Sequence, residues 1–476
     1  MCFFSLTAMS QDYFIKKISF DDRTNTGRSI VQHNQRIYIL ASHFCDDLEC
    51  SSLAELSING DTLWVTKLPQ IDIGRSSLLM HGDTITVTGN NAPLNTKFRV
   101  AHFDLNGKEL REIIEIENPT QQFNQMFQLT SVRFQNKTLV TGTGMQNSIE
   151  YGLIYVMNAE DELDTLIMIE PQDKLSIMWN IAVSEDGYLY TYHEIDESIL
   201  NKERKIINKF DKDFNLLWRY QSEDTFKWDG GSYGDVLEDG RVLLVTYSPL
   251  SNSPHSSIRA INQDGSIDWQ YDVPYSPFGD DGIQEVISRV TQLASGDILC
   301  MGRYTNLMLD EPIRDSPFMY KMNTEGEIIW KRVFYELDPV TGVSRVGLVK
   351  DAIELDNGDI YGIGWMDYDG QREVFILKVD ADGCLDAEDC EFVQVITDTE
   401  DLEIRNDIKI YPNPVYDILT IDIDELPEKV QIYTTDGVLI KTERKSKEIN
   451  VSDLVKGIYY VKVYIDGSMS VVAFVK

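Results

Sequence analysis

The sequence has few of the features by which enzymes are usually identified. Its six His residues, at positions 33, 43, 81, 102, 193 and 255, show no spacing typical of a helical metal motif. It also lacks a phosphate-binding loop, a dinucleotide fingerprint and a G-x-S-x-G elbow. The sequence therefore predicts no catalytic residue, no metal site and no cofactor, and whether the chain is an enzyme stays open.

Long apolar runs and basic residues are also scarce. No segment approaches the roughly 18 apolar residues of a membrane-spanning helix, so we expect a protein that does not span a membrane. The chain has 43 Lys+Arg against 78 Asp+Glu, and its formal net charge is -35. A field of this sign repels phosphate backbones, so nucleic acid is not an expected partner.

The first ten residues resemble part of an export signal. An apolar run from Phe3 to Thr7 precedes Ala8-Met9-Ser10, a small-x-small pattern similar to a signal-peptidase site. The run is short and no basic residue precedes it. We interpret residues 1–10 as the remnant of a signal peptide whose true start codon lies upstream.

Four of the six cysteines form two close pairs. The pairs are Cys45 with Cys50, and Cys384 with Cys390. Zinc binding is the alternative explanation, but no His accompanies the second pair. In an oxidising compartment we expect two local disulfides. Cys300, inside the strand-like segment DILCMG, is expected to be a buried thiol.

Residues 11–392 repeat two short patterns. The first is an apolar strand and a tight turn, usually followed by a Trp, as at Trp64, Trp218, Trp269 and Trp330. The second is a turn that enters a strand often ending in Gly, as in HGDTITVTG and NGDIYGIG. Seven copies at intervals of about fifty residues predict an all-β fold, a seven-bladed β-propeller.

The repeat also predicts how the ring closes. The chain begins partway through a unit with the strand Tyr13 to Phe20, and the last unit lacks its Trp strand. The N-terminal strand could therefore supply the missing edge of the last blade, which removes an exposed edge. The Trp residues are expected to cover the seams between blades.

Propeller families differ in the spacing of these residues. A Gly four positions before Trp partly resembles the docking repeat of quinoprotein alcohol dehydrogenases, but those have eight blades and a quinone site that this sequence does not show. Residues 11–392 more closely resemble the uncharacterised repeat propellers of secreted Bacteroidetes proteins.

Aromatic residues in the longer loops are the candidate ligand site. Beside Asp and Asn, aromatic rings can stack on sugars, and they can equally plug the end of a propeller. A glycan or a peptide is the candidate ligand. The candidates are Trp228, Tyr233, Tyr275, Trp365 and Tyr368.

Two aspartate-rich segments resemble the start of calcium loops. They begin at Asp367 and Asp380 and lack the downstream bidentate Glu, so solvated hairpin turns are favoured.

The C-terminal 69 residues form a separate β-rich module, after an acidic linker predicted at 393–407. Residues 408–476 hold 9 basic and 10 acidic side chains, so the negative charge lies upstream. Their motifs resemble the type A C-terminal sorting domain of the Bacteroidetes type IX secretion system. The matching residues are Tyr411, Pro412, Asn413, Pro414, Gly437, Gly457 and Lys476.

This resemblance implies export across both membranes and removal of an immunoglobulin-like β-sandwich. The expected partners are the secretion machinery and its sorting protease. An adhesion module that is retained in the mature protein is the alternative.

Two classes of function follow for the exported part. A secreted or cell-surface binding propeller without catalytic activity is preferred, because a degenerate repeat lacking catalytic motifs is typical of a scaffold. The alternative is a hydrolase or lyase that acts on polysaccharide, with acidic residues over the central channel.

Overall fold

The computed structural model confirms an all-β chain that divides into two compact units, Met1–Ile396 and Thr397–Lys476. The residues it describes are 13–20, 24–45, 48–68, 71–72, 78–91, 97–117, 125–146, 149–169, 176–197, 202–222, 234–248, 255–272, 283–306, 315–336, 344–368, 370–385, 390, 393–396, 409–423, 426–427, 429–434, 439–443, 445–465 and 468–476. The proposed signal remnant at 1–10 lies outside them.

The first unit contains 29 described strands, rich in the Val, Ile and Tyr residues that favour extended backbone. They are β1 (Phe14–Ile18), β2 (Thr26–His33), β3 (Arg36–Cys45), β4 (Leu48–Leu56), β5 (Thr62–Leu68), β6 (Ile71–Asp72), β7 (Leu78–His81), β8 (Thr84–Asn91), β9 (Lys97–Phe103), β10 (Glu109–Glu117), β11 (Gln125–Phe134), β12 (Lys137–Gln146), β13 (Ile149–Met157), β14 (Leu163–Ile169), β15 (Ser176–Val183), β16 (Leu189–Glu197), β17 (Lys202–Phe210), β18 (Leu216–Gln221), β19 (Val242–Ser248), β20 (His255–Ile261), β21 (Ile267–Asp272), β22 (Ile283–Gln292), β23 (Ile298–Asn306), β24 (Asp315–Met322), β25 (Ile328–Glu336), β26 (Gly347–Glu354), β27 (Ile360–Tyr368), β28 (Gln371–Val379) and β29 (Val393–Ile396).

Within the described residues these strands form seven sheets, one for each sequence repeat. Most are antiparallel meanders of four strands, such as β2-β3-β4-β5, β11-β12-β13-β14 and β15-β16-β17-β18. The fifth has three strands, β19-β20-β21, and an additional bridge between Val236 and Val242. The blade number of the whole chain stays a prediction, because this count applies to the described residues.

The sheets stack in a closed ring. The first strands of successive sheets contact one another: β22 contacts β26, β26 contacts β2, β2 contacts β7, β7 contacts β11, and β11 contacts β15. Between the fourth and fifth sheets, the amide of Asn180 donates to the carbonyl of Gly234 at 2.8 Å. One buried cluster joins the last sheet to the first, with Ile363 and Ile376 against Ile37 and Ile39. A ring of stacked sheets with the first strands innermost is a β-propeller.

The predicted closure by the N-terminal strand is confirmed. β1 pairs antiparallel with β28, so that Phe14 lies opposite Lys378. In the first sheet Trp64 lies opposite Glu55. Glu55 is as many residues from the turn that follows β4 as Lys378 is from the turn that follows β28. Phe14 therefore occupies, in the last blade, the position that Trp holds elsewhere.

The predicted role of Trp at the seams is also confirmed. The indole of Trp269 donates to the carbonyl of Thr324 in the next blade at 2.8 Å. A Cβ added to Gly326 would lie 2.7 Å from this ring, and Gly326 has a φ of +85°, so the turn needs glycine for two reasons. At the closing seam, a Cβ on Gly60 would lie 2.5 Å from the ring of Phe14.

At the seam between the second and third sheets, an ion pair takes the place of this apolar contact. Arg111 holds the Trp position in the second sheet, and Asp161, with a φ of 61°, holds the glycine position in the third. The two side chains form an ion pair, and Nε2 of His102 lies 2.8 Å from Asp161 Oδ2. Burial, together with the positive charges of Arg111 and Arg133, lowers the pKa of His102 to about 4.

The chain leaves the ring along the sixth sheet. After β28 it forms β29, which pairs in parallel with the outer strand β25. The compact unit accordingly runs to Ile396, four residues into the segment predicted as linker. The rest of that segment, 397–407, lies outside the described residues.

The second unit is a β-sandwich of two sheets. Its described strands are β30 (Lys409–Tyr411), β31 (Ile418–Asp422), β32 (Lys429–Thr434), β33 (Leu439–Glu443), β34 (Glu448–Asn450), β35 (Ile458–Ile465) and β36 (Ser468–Val475). One sheet has the order β30-β31-β34 and the other β33-β32-β35-β36. Val415, Leu419, Ile432, Val461 and Phe474 are among the residues of its own core.

Candidate functional site

The propeller presents short turns at one end of the ring and longer connections at the other. Tight turns join the first strand to the second and the third to the fourth, for example Leu355 to Asp359 and Asn323 to Glu327. The remaining connections leave from the opposite end, which we term the loop end. Because alternate strands of a meander share direction, β18 and β21, the described strands that precede Trp228, Tyr233 and Tyr275 in the sequence, end at the loop end, where Trp365 and Tyr368 also lie.

The structure describes two of the five predicted ligand-binding aromatics. Trp365 lies within β27, is 6% exposed, and has the guanidinium of Arg372 4.2 Å above its ring. Tyr368 is half-buried, between Lys17 at 4.8 Å and Arg345 at 4.7 Å from the ring centre. Trp228, Tyr233 and Tyr275 lie outside the described residues.

Tyr368 belongs to a polar cluster at the loop end. Its hydroxyl donates to Glu336 Oε2 at 2.9 Å, and Nε of Arg345 donates to the other oxygen at 2.8 Å. Glu336 is 4% exposed. The carboxylate is thus fixed between a phenol and a guanidinium, while both described aromatic rings are covered by cations of this chain.

The innermost strands hold a repeated irregularity that the sequence analysis missed. β2, β11, β15, β22 and β26 each carry a β-bulge with one extra residue, five positions before the last pair of the strand in β2 and β11 and four positions before it in β15, β22 and β26. A bulge re-aims a side chain that a regular strand would direct at a neighbouring sheet. The extra residues are Arg28, Leu129, Trp179, Ser288 and Lys350.

Exposure separates these bulge residues from the residues around them. Arg28 and Lys350 are half-buried, while the residues on either side of each are buried. Trp179 and Ser288 are half-buried as well. The hydroxyl of Ser288 donates to the carbonyl of Val349 at 2.8 Å, which ties this bulge to the next blade.

Polar side chains next to the bulges tie adjacent blades together. Asp351 accepts the N–H of Ile30 in the next blade at 3.1 Å and the N–H of Ala352 at 3.0 Å. Its Oδ1 also lies 3.0 Å from Nη1 of Arg289 in the preceding blade. Burial raises the pKa of Asp351, and the charge of Arg289 opposes this shift.

A glycine opposite the bulge was the signal that could have located it. Gly302 faces the bulge in β22 and Gly364 faces that in β26. A Cβ at Gly302 would lie 2.0 Å from the carbonyl oxygen of Val286, and one at Gly364 would lie 1.9 Å from that of Leu348. The Gly that recurs in the second strand of many repeats therefore marks the point where the inner strand bulges.

One predicted disulfide is confirmed. Cys384 and Cys390 are bonded, with their Cα atoms 5.2 Å apart, and Nη2 of Arg332 lies 3.1 Å from the Cys390 sulfur. Cys50 is also disulfide-bonded, but the side chain of Cys45 lies outside the described side chains, so that pairing stays a prediction. Cys300 is a free, buried thiol as expected.

The aspartate that begins the second calcium-like segment caps a turn. Asp380 Oδ1 accepts the N–H of Asp382 at 2.9 Å and that of Cys384 at 2.8 Å. Among the described side chains no group of three His, Cys, Asp or Glu is placed to hold a metal.

The described sorting-motif residues meet around the C-terminus. Asn413 Oδ1 accepts the N–H of Val475 at 2.9 Å, and Lys476 N–H donates to Gly457 O at 2.9 Å. The ammonium of Lys476 donates to the carbonyl of Tyr416. Tyr411 is 52% exposed, and Pro412 and Pro414 are exposed as well. Gly437 lies outside the described residues.

Solved structures similar to this chain include three distant likenesses. The polysaccharide lyase Uly1 is 12% identical over 75% of this chain and 90% of its own, with a TM-score of 0.47. Drosophila Semaphorin 2a is 10% identical over 97% of each chain, with a TM-score of 0.44. An ulvan lyase of family PL25 is 10% identical over 64% of this chain and 79% of its own, with a TM-score of 0.43. Likenesses at this level carry no argument about activity.

The C-terminal unit has a clear relationship. Residues 409–476 match the family described as secretion system C-terminal sorting domain. No curated protein sequence matches the chain significantly. Among the described residues no helix is long and apolar enough to cross a membrane. The chain is therefore directed to the cell surface or beyond it, and its second unit is a type IX secretion system C-terminal sorting domain.

Proposed function

We propose that the propeller is a binding protein without catalytic activity that acts outside the cell after its sorting domain has been removed. The observation that carries this proposal is the row of half-buried polar and aromatic bulge residues on the innermost strands. A closed ring supplies rigid positions for such side chains, and its loops can vary without loss of the scaffold.

Export is tested with the sorting unit alone, since this unit has its own core and its own two sheets. A signal peptide and a soluble reporter are fused to residues 397–476 and expressed in a type IX-competent strain. We expect the reporter in the medium or on the cell surface, and in the periplasm of a strain lacking the machinery. Equal export by both strains would instead favour the adhesion-module alternative.

Deletion of most of the last strand provides a second test of export. Removal of Val471 to Lys476 takes away most of β36 and the bonds made by Gly457 and Asn413. We expect the reporter to stay in the periplasm. The conservative variant Lys476→Arg keeps a cationic N–H donor near the carbonyl of Tyr416 and should be exported normally.

Binding is tested with the purified mature protein on a glycan array and a peptide library. A saturable ligand that is recovered unchanged supports the binding function. Release of reducing ends or of unsaturated uronates from a polysaccharide would establish the alternative, a hydrolase or lyase. The observation that favours this alternative is the buried Glu336 between Tyr368 and Arg345 at the loop end.

A further inference from the structure

We propose that the disulfide between Cys384 and Cys390 is a redox-sensitive tether for β29. Reduction by a small dithiol releases this strand from the outer edge of the sixth sheet, while the ring of blades stays closed. Such a response does not depend on a ligand, so it goes beyond the proposed binding function.

β29 is held by few hydrogen bonds of its own. It has four residues and runs along β25, from Val393 opposite Val333 to Ile396 opposite Glu336. Among the strand pairs of the described residues, this is the one parallel pair. Parallel pairing is slightly weaker per residue than antiparallel pairing, and the entropy lost in ordering four residues opposes it. The position of β29 therefore depends on how the chain before it is fixed.

Cys384 is the fixed end of the tether. It closes the turn after β28, where its N–H donates to Asp380 Oδ1 at 2.8 Å. The same turn packs on a seam tryptophan: the indole of Trp330 donates to the carbonyl of Ala381 at 2.9 Å, and a Cβ on Gly383 would lie 2.8 Å from the ring. Cys384 is 2% exposed, so it is anchored in the ring.

The disulfide extends this anchorage to the chain just before β29. The Cα atoms of Cys384 and Cys390 lie 5.2 Å apart. With the bond closed, residues 391–392 separate the tether from β29, whereas residues 385–392 separate Cys384 from β29 when it is open. Lengthening a connection from two to eight residues lowers the probability of strand pairing by roughly tenfold.

One sulfur of the pair is accessible, and a cation lies beside both. Cys390 is half-buried, in contrast to Cys384. Nη2 of Arg332 lies 3.1 Å from the Cys390 sulfur and 3.9 Å from the Cys384 sulfur. Burial lowers the pKa of Arg332, and the charges of Asp380 and Asp382 oppose this shift. A guanidinium at this distance stabilises the thiolate that forms when the disulfide opens.

The reduction transfers two electrons from the dithiol to the disulfide. One thiolate of the reductant attacks the Cys390 sulfur, and the S–S bond breaks with its electron pair on Cys384. The second thiol of the reductant then closes on the mixed disulfide and expels Cys390. The reductant leaves as a cyclic disulfide, and its two protons are balanced by those that the two cysteine thiolates take up.

Release of β29 also acts on the loop end, because β25 ends there. Glu336, the last residue of β25, accepts hydrogen bonds from the hydroxyl of Tyr368 and from Nε of Arg345. Its carbonyl accepts the N–H of Arg345 at 2.8 Å. Ile396 of β29 lies opposite Glu336, so the tethered strand supports the backbone that carries this cluster.

Hydrogen exchange of the full chain with and without dithiothreitol, read by mass spectrometry, tests the tether. After reduction, peptides containing Val393–Ile396 should exchange about tenfold faster, by the loss of pairing that the longer connection predicts. Peptides containing Phe14–Ile18 should keep their protection, because β1 pairs with β28 and with neither cysteine. Alkylation before unfolding should label Cys384 and Cys390 and leave Cys300, which is 0% exposed, unlabelled.

Variants test the tether and the cation separately. Cys384→Ser/Cys390→Ser should show the fast exchange of β29 without any reductant. Arg332→Gln should slow the reduction by about tenfold or more, and Arg332→Lys should retain most of the rate. The matched control is Arg303→Gln, since Arg303 lies in the same sheet and pairs with Asp315. A variant at position 332 that merely loosened the turn would be reduced faster.

Four results would overturn the inference. These are equal protection of β29 in the oxidised and reduced protein, loss of protection in β1 together with β29, cysteines 384 and 390 that stay unlabelled in dithiothreitol, and faster reduction of Arg332→Gln. None of them alters the binding function, which the glycan array and the peptide library measure independently.

Discussion

A single glycine shows how closely the inner strands are fitted. Gly364 lies opposite the bulge in β26, and a Cβ there would lie 1.9 Å from the carbonyl oxygen of Leu348. Backbone cannot retreat as a flexible side chain can, so Gly364→Ala should lower the free energy of unfolding by about 2 kcal/mol or more. Denaturant titration of the purified protein measures this change.

The matched control lies two residues away in the same strand. A Cβ on Gly362 would meet its nearest neighbour, Val349 Cγ1, at 3.5 Å, which is an ordinary contact. Gly362→Ala should therefore be neutral or slightly stabilising. Equal losses in the two variants would contradict the role assigned to the bulge.

His102 gives the protein a defined sensitivity to acid. Its pKa is lowered to about 4 by burial and by the neighbouring arginines, against about 6.5 in an unfolded chain. Between these values the unfolded state binds more protons, so the free energy of unfolding should decrease as pH falls from 6.5 to 4. The variant His102→Gln should show a shallower decrease over this window, measured by denaturant titration at each pH. Parallel curves would contradict it.

At the scale of residues, the sequence predicted the roles of the residues that recur in the repeated pattern. Trp269 and Trp330 cover the seams as expected, because both occur in the same sequence context. Arg111 and Asp161 could not be anticipated, since each alone looks like an ordinary charged residue. Trp365 was placed in a loop, but β27 continues to Tyr368, so that Trp365 lies in a buried strand.

The bulge residues were missed for a related reason. A bulge shifts register by one residue, and a sequence pattern read as regular alternation conceals that shift. The recurring Gly was visible in the sequence, but its meaning depends on the carbonyl oxygen opposite it.

At the scale of elements, β1 provides the most direct test of the ring. Phe14 is 6% exposed and packs on the turn of the first blade. Phe14→Ala should lower the free energy of unfolding by about 3 kcal/mol, because it leaves a cavity at the closing seam. Leu110→Ala, in the outer strand of the second sheet, is the control, since Leu110 is 52% exposed.

Removal of the strand is the stronger form of this test. Deleting residues 13–20 leaves the edge of β28 unpaired, and light scattering should then report aggregation. A deletion variant that remains monomeric with unchanged stability would show that the ring does not depend on its N-terminal strand.

The closure itself could be predicted because a missing strand at one end of the chain matched an extra strand at the other. The parallel strand β29 could not, since VQVI follows an acidic, cysteine-containing segment and has no counterpart in the other repeats.

At the scale of the whole molecule, the two units determine where processing should occur. Val393–Ile396 pairs with β25, and Cys384–Cys390 fixes the chain before it. The sorting protease should therefore cut after Ile396 and before Lys409. Mass spectrometry of the secreted protein should find its C-terminus in that interval, and intact Lys476 outside the cell would contradict the prediction.

The overall architecture could be predicted from the sequence because the first unit has a sequence repeat and the second has a compact set of motifs. The candidate site was harder to predict. Loop aromatics indicate only one end of the ring, whereas the bulge residues of the innermost strands are determined by backbone register.

The pairing of β1 with β28 also has a consequence for incomplete chains. These two strands come from opposite ends of the propeller sequence, so a chain truncated at either end cannot join its last blade to its first. In such a fragment a strand edge stays unpaired, and Phe14 no longer packs against Gly60. We therefore expect that only a full-length propeller can close its ring, and that an incomplete one aggregates and is cleaved by proteases more readily.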